Sequence, residues 1–264
     1  MMKPDKKNNI KQLGNIEGPT IIFAHGFGTD QSAWDKVKEA FVSEYRVILF
    51  DNVGGGLADP EAFSPNKYNT LQPYAEDLIA ICEAYKVKDA ILVGHSVSGM
   101  ISLLAALKRP EFFSKLVMIG ASPRYLNDID YVGGFEQQGL DEIYDTMANN
   151  YFAWVSGFSA AAMANPEKPQ LVESFASTLK AIRPDIAQSV ARVIFQSDYR
   201  KELSKLDKPT LLLQAKEDIA VPLSVAEYLH KNITNSKLKV VNAFGHFPHM
   251  SAPQEIITEI KQFI

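Results

Sequence analysis

The stretch Ile91-Leu-Val-Gly-His-Ser-Val-Ser-Gly-Met100 constrains this chain more than any other. An apolar run gives way to a helical pattern with only Gly94-His-Ser-Val-Ser-Gly99 between them. That order demands a sharp reversal at the carboxyl end of a buried strand. Small residues are needed there because the backbone folds back on itself. The spacing G-x-S-x-G describes a serine held on such a strand-to-helix turn, with its Oγ raised above a sheet. Gly94-His95-Ser96-Val97 fits, but the fifth position is Ser98 and the glycine comes one place later, at Gly99. Serine is still small, so the turn stands and Ser96 is the candidate nucleophile.

The rest of the chain supplies a sheet for that turn. Short β-branched runs at 20–24, 46–50, 90–93, 115–119, 210–214 and 238–241 alternate with helical patterns near 31–42, 71–85, 97–108, 224–230 and 253–264. Most of the runs are continuously apolar, as strands buried on both faces are. Asp30 and Thr70 stand where helix N-caps are expected. Alternation stops after Ile119 and resumes at Pro209, with only helical patterns broken by Gly133-Gly134, Pro166 and Pro184 between. The expectation is an α/β fold of the α/β-hydrolase kind, a mostly parallel sheet with flanking helices and an inserted helical lid. Residues 1–124 and 196–264 form its core and 125–195 the lid.

Composition narrows the function classes. Hydrophobic residues make up 46% of the chain, enough for a well-buried core and against disorder. The 27 basic and 31 acidic residues leave a net charge of −4, so no clustered basic face points to nucleic acid. The single cysteine, Cys82, lies among apolar residues at helical spacing and reads as a small buried hydrophobe. The polar start Met1-Met-Lys-Pro-Asp-Lys-Lys-Asn-Asn9 lacks the apolar run of a signal peptide. No stretch approaches the roughly 18 apolar residues of a membrane span. The expectation is a cytoplasmic monomer with no cofactor.

A serine hydroxyl needs a base to take its proton, and the base needs a third group to orient it. In this kind of fold the chain order is Ser, then Asp or Glu, then His. Asp218 follows an apolar run in Leu213-Gln-Ala-Lys-Glu-Asp-Ile-Ala-Val-Pro222, with Glu217 as the competing carboxylate. Of the five histidines, His246 follows the last apolar run in Asn242-Ala-Phe-Gly-His-Phe-Pro-His249. Gly245 permits a sharp loop there, and His249 is the rival. His230 sits on a helical pattern and reads as a surface residue. No cluster of His, Cys and carboxylates has metal-ligand spacing. An oxyanion needs two N–H donors, one from Val97 after the nucleophile and one from Ala24-His-Gly-Phe-Gly28, where Phe27 is the candidate.

Several segments together resemble one subfamily closely. They include His25-Gly-Phe-Gly-Thr-Asp-Gln-Ser-Ala-Trp34, Arg46-Val-Ile-Leu-Phe-Asp-Asn-Val-Gly-Gly-Gly56, Gly94-His-Ser-Val-Ser-Gly99 and Ser122-Pro-Arg-Tyr-Leu-Asn-Asp128. Gly133-Gly-Phe-Glu-Gln137, Arg183-Pro-Asp-Ile-Ala187, Ile194-Phe-Gln-Ser-Asp198 and Gly245-His-Phe-Pro-His-Met-Ser251 belong with them. From about residue 12 onward the chain resembles the RsbQ-type bacterial stress regulators and their plant relatives, the karrikin and strigolactone receptors.

The resemblance implies a four-helix lid over a small apolar pocket, with the triad on Ser96, Asp218 and His246 and the oxyanion donors on Phe27 and Val97. It places pocket-lining aromatics at Phe27, Tyr125, Phe135, Trp154, Phe158 and Phe195. It also implies slow hydrolysis of a small apolar ester or butenolide lactone coupled to sensing. For the bacterial type, which the general look of the sequence favours, the partner is a PAS-domain phosphatase. A metabolic carboxylesterase and an interaction module with a vestigial site are the alternatives. The serine excludes the branches of this fold that use an acidic nucleophile.

Overall fold

A computed structural model describes residues 3–264; Met1 and Met2, which open the polar start, lie outside the described residues. The apolar runs become strands β2 (Thr20–Ala24), β3 (Arg46–Phe50), β4 (Ala90–His95), β5 (Phe113–Ile119), β6 (Thr210–Glu217) and β7 (Ser236–Phe244), preceded by a short β1 (Lys11–Gly14). They form one sheet in the order β1-β3-β2-β4-β5-β6-β7. β1 runs antiparallel to β3, and the other neighbours are parallel. The helices are α1 (Pro4–Asn8), α2 (Asp35–Lys38), α3 (Gln72–Ala84), α4 (Val97–Lys108), α5 (Gln137–Asn149), α6 (Tyr151–Met163), α7 (Pro169–Ala181), α8 (Pro184–Phe195), α9 (Leu223–Asn232), α10 (Pro248–Ser251) and α11 (Pro253–Phe263).

Strand residues alternate between two apolar layers. Ile22, Ala24, Ile48, Phe50, Leu92 and Met118 pack with Leu78 and Ile81 of α3 and Met100 and Leu103 of α4. Ile21, Phe23, Val47, Leu49, Val93 and Val117 pack on the other face with Trp34, Phe41 and the α11 residues Ile256 and Ile260. Burying each such side chain stabilises the fold by about 1.5–3 kcal/mol, which is why these strands carry almost no polar residue. Cys82 is buried and free, and desolvation pushes its thiol up to about 12, as suits a packed hydrophobe.

Two local expectations need correction, and one strand is new. The segment 31–42 is a 3-10 turn, Gln31–Trp34, followed by the single turn of α2. The side chain of Asp30 caps that turn and the Gln31 N–H donates to Asp51 Oδ1 at 2.9 Å, while at the other end the Ala40 and Phe41 N–H groups tighten into bonds to the Val37 and Lys38 carbonyls (3.2 and 2.9 Å) and the helix stops. Thr70 is not the N-cap of α3. Leu71 holds that place in αR geometry with its N–H on the Tyr199 hydroxyl, and Thr70 Oγ1 reaches only a 3.4 Å contact with the Gln72 N–H. β1 went unforeseen because Lys11-Gln-Leu-Gly is short, polar and half-exposed; pairing with β3 makes it a strand, not its own propensity.

Between β5 and β6 the described residues hold no strand, only isolated bridges such as Leu126 with Phe135 and Arg124 with Asp198. Helices α5 to α8 fill the interval. Each has an apolar stripe turned inward, for example Leu171, Phe175 and Leu179 on α7, and prolines open α7 and α8 where a missing N–H costs nothing. No helix among the described residues is long and apolar enough to cross a membrane. Strand order reverses between β2 and β4, neighbours from which the chain runs to opposite sides. Ligands bind beyond the carboxyl ends of strands at such a point, and Ser96 and Phe27 follow these two strands.

Candidate active site

Ser96 sits at φ 54°, ψ −124°, a conformation few residues other than glycine adopt. Holding a serine there costs on the order of 1–3 kcal/mol, offset by the packing that surrounds the turn. Its N–H donates to the Ile119 carbonyl of β5 at 2.8 Å. A Cβ on Gly94 would meet the Ser98 carbonyl oxygen at 2.4 Å, and one on Gly99 would meet the Ala121 Cβ at 2.5 Å. The close approach of α4 to the β5 end therefore demands glycine at 99, not at 98. Position 98 is free to carry a hydroxyl, and Ser98 Oγ donates to the His25 carbonyl at 2.5 Å.

The structure brings Ser96, Asp218 and His246 together. His246 Nδ1 lies 2.8 Å from Asp218 Oδ2, and its Nε2 lies 2.8 Å from Ser96 Oγ. With the Nδ1 proton donated to a carboxylate, Nε2 is bare and accepts the serine O–H. Asp218 Oδ1 accepts the N–H groups of Ala220 (2.8 Å) and Val221 (3.1 Å), so the carboxylate faces the imidazole in a fixed orientation. Its side chain is 1% exposed. Glu217, the rival carboxylate, ends β6 as an exposed residue. The loop carrying His246 turns at Gly245, φ 82°, where a Cβ would lie 2.1 Å from the Met163 carbonyl oxygen. The His246 N–H donates to the Ala162 carbonyl of α6 at 2.7 Å.

His249, the rival base, is fully buried behind the site, its ring 4.3 Å from that of His95 and 4.5 Å from that of Trp34. Neither of its nitrogens has a partner among the described residues, and desolvation, then His246, pushes it down to about 3. His95 is likewise held neutral, first by burial and then by His249 and His246. Its Nε2 faces the His246 carbonyl at 2.7 Å and so carries the proton. His230 lies on α9 with Nδ1 on the Ser236 hydroxyl, away from the site.

The N–H groups of Phe27 and Val97 donate to no acceptor among the described residues. Val97 owes this to its place as the first residue of α4. Phe27 owes it to the peptide before it: the Gly26 carbonyl is taken by Thr29 Oγ1 at 3.0 Å and by His25 Nδ1 at 2.8 Å. In a trans peptide the following N–H points the opposite way. The His25 tautomer is fixed by the Asn52 N–H, which donates to Nε2 at 2.9 Å. Asn52 Nδ2 also donates to the His25 carbonyl at 3.0 Å, beside Ser98. The roles of Ser98 and Asn52 were not visible in the sequence, although the displaced glycine of the turn was the signal that position 98 differs.

Ser96 and His246 open into a small apolar cavity lined by Phe27, Tyr125, Phe158, Phe195 and Phe247. The Tyr125 hydroxyl is 3.4 Å from Ser96 Oγ, and burial raises its pKa. Two expected lining residues stand a layer back. Phe135 packs its ring 5.4 Å from that of Phe195, and Trp154 stacks on Phe158 at 5.0 Å, one helical turn before it on α6. A second small apolar cavity lies across Phe27 and Ile194, without Ser96, Asp218 or His246 in its wall. Among the described residues no group of His, Cys, Asp and Glu is placed to hold a metal ion.

Comparison with known proteins bears on the whole chain. The chain is 44% identical to a karrikin insensitive 2 receptor of Petunia hybrida, over 98% of this chain and 96% of that one. It is 43% identical to a strigolactone esterase of Arabidopsis thaliana, over 94% and 92% of the two chains. A hydrolase from Oleispira antarctica superposes with a TM-score of 0.95 at 33% identity, covering 98% of this chain and 95% of that one. The sequence profile of the alpha/beta hydrolase fold matches residues 19–253, from the strand that leads into the Phe27 loop to the start of the last helix. With profile, relatives and superposition spanning sheet and helices alike, the chain belongs to the α/β-hydrolase family.

Proposed function

We propose that this protein is a serine hydrolase acting on a small apolar ester or butenolide-type lactone, and that it senses the compound it cleaves. One observation carries the reading: the hydrogen-bond line from Asp218 through His246 to Ser96 ends in an apolar, aromatic cavity beside two unclaimed N–H groups. In this mechanism His246, oriented by Asp218, takes the Ser96 proton as Oγ attacks the ester or lactone carbonyl. The Phe27 and Val97 N–H groups receive the developing oxyanion. His246 then returns the proton to the leaving oxygen, and water, activated by the same imidazole, releases the acyl group from Ser96. No cofactor enters any step.

Residues 125–195 act as the lid and 1–124 with 196–264 as the core. Phe27, Tyr125, Phe158 and Phe195 shape the ligand, while Phe135 and Trp154 back them. Similarity to a protein named as a receptor, at 44% identity over nearly the full length, supports sensing over bulk metabolism. RsbQ-type stress signalling through a PAS-domain phosphatase is the form of sensing that the sequence resemblance favours.

The test is hydrolysis of p-nitrophenyl acetate and a fluorogenic butenolide by the wild type and Ser96→Ala, with melting temperature read in parallel. Turnover well below about 10 s⁻¹, lost in Ser96→Ala, together with a ligand-dependent melting shift, is the expected result. Hydrolysis that survives Ser96→Ala overturns the triad. Fast turnover on simple esters without any shift overturns sensing and leaves a carboxylesterase.

A further inference from the structure

The loop 25–29, which carries the Phe27 N–H, is gripped from two sides. On the core side the His25 carbonyl accepts from Ser98 and Asn52. On the other side a helix from the interval between β5 and β6 lies directly on it. Thr178, near the end of α7, donates from Oγ1 to the Gly28 carbonyl at 2.7 Å across 150 positions of sequence. The approach is tight: a Cβ on Gly28, whose φ is 77°, would fall 2.9 Å from both Leu179 and Phe175 of the same helix. Thr178 supplies the hydrogen bond that the Gly28 carbonyl makes among the described residues.

The consequence follows from peptide planarity. Gly28 C=O and Thr29 N–H share one plane and point in opposite directions. The Thr29 N–H is directed at the Gly26 carbonyl, 3.4 Å away, and the Thr29 hydroxyl reaches the same oxygen at 3.0 Å. Gly26 C=O in turn shares its plane with the Phe27 N–H. A hydroxyl on α7 is thus linked through two peptide planes to the N–H that faces the reacting carbonyl. Aligned donors and acceptors in such a series also polarise one another.

We propose that Thr178 is a positioning residue through which α7 aims the Phe27 N–H, so that the oxyanion site is complete only while α7 rests on the loop. The hydroxyl has a second acceptor, the Phe175 carbonyl of its own helix at 3.0 Å. When α7 moves off the loop, the hydroxyl keeps a partner, and only the Gly28 carbonyl loses one to water. The hydroxyl itself therefore loses little on separation, while the aim of the Phe27 N–H is lost; the packing of Phe175 and Leu179 is what holds α7 on the loop. Helix position and catalytic competence are coupled in both directions, since a ligand that builds negative charge on its carbonyl oxygen draws α7 down.

This inference rests on the reading of Phe27 and Val97 as oxyanion donors. The test compares Thr178→Val, which keeps the shape and removes the donor, with Thr178→Ser, which keeps the donor. Thr178→Ala covers the case in which valine disturbs the helix. Kinetics on p-nitrophenyl acetate are read with melting temperatures and with inhibition by a trifluoromethyl ketone, which forms an oxyanion on Ser96. Removing an oxyanion donor outright costs about 10²–10³ in kcat, so a donor kept but misdirected is expected to cost less, on the order of tenfold.

The expected result is a loss of that size in kcat for Thr178→Val and Thr178→Ala, with KM within about twofold and a matching loss of ketone affinity. Thr178→Ser stays near the wild type. Equal losses in Thr178→Val and Thr178→Ser, or a loss confined to KM, overturn the proposal. So does a wild-type kcat in Thr178→Val when hydrolysis still depends on Ser96, in which case the triad stands and the linkage alone falls. Hydrolysis that survives Ser96→Ala removes the underlying site instead.

Discussion

The sheet and the four helices between β5 and β6 meet at the same cavity but reach it in different ways. From the sheet come Ser96, Asp218 and His246, each on a loop at the carboxyl end of a strand and each tied by hydrogen bonds to the backbone or to its neighbour. From the helices come rings, Phe158 and Phe195, which touch the cavity by packing alone. Only two hydrogen bonds join these helices to the loops of His246 and Phe27 among the described residues: the His246 N–H on Ala162, and Thr178 on Gly28. The groups proposed to move protons are fixed by directional bonds, and those proposed to shape a ligand are held by contacts that can slide. Sub-ångström placement matters for the first and little for the second.

The largest effect that sharpens this contrast is expected at Asp218. Asp218→Asn keeps the volume but turns an acceptor-only group into one that also donates, so the Nδ1–H tautomer of His246 is no longer enforced. A fall of about 10⁴ in kcat is expected with KM little changed. Steady-state kinetics with a melting curve check it, the curve showing that the fold persists. A fall of less than about tenfold would mean that the buried Asp218 does not orient the base, and the sheet side would lose its distinction.

A helix-side change should act on KM. Phe158→Ala removes a lining ring that stacks on Trp154 at 5.0 Å, while the hydrogen bonds of Ser96, His246 and Asp218 stay intact. Losing that apolar contact costs about 1–1.5 kcal/mol of ligand binding, or roughly a tenfold rise in KM with kcat held. Trp154→Ala, one layer back, should lower the melting temperature more than it changes KM. A fall in kcat without a change in KM for Phe158→Ala would break the division between the two regions.

Most of the sheet-side constellation was legible in the sequence. The glycine spacing around Ser96, the loop after an apolar run for Asp218 and the Gly245-His246 pair are local signals. Backbone sterics and strand order make them so: a carboxyl-end loop with small residues has few conformations. Less was legible where partners lie far apart in sequence. Thr178 sits on an amphipathic stripe that periodicity assigns to packing, and nothing near it announces an acceptor 150 positions away. Trp154 and Phe158 share a face by spacing, but which ring reaches the cavity depends on how α6 is rotated against the sheet. β1 is a strand through its partner alone.

The smallest effect probes where the two regions meet. Ser98→Gly would restore the usual spacing of small residues around the nucleophile, so motif matching predicts no harm. The structure predicts a loss, because Ser98 Oγ donates to the His25 carbonyl at 2.5 Å and glycine has no donor. Asn52 Nδ2 remains on the same oxygen at 3.0 Å, and the Asn52 N–H still holds the His25 ring at 2.9 Å, so that carbonyl loses only one of its two donors. A net hydrogen bond is worth about 0.5–1.5 kcal/mol, which gives roughly a two- to tenfold fall in kcat. The same energy lowers the melting temperature of a chain this size by a few degrees, roughly 2–4 °C per kcal/mol. Kinetics and melting curves of Ser98→Gly and Thr178→Val, measured together, rank the two grips on the Phe27 loop. A larger loss for Ser98→Gly would place control of the oxyanion donor in the sheet side alone, with α7 resting on a loop already set.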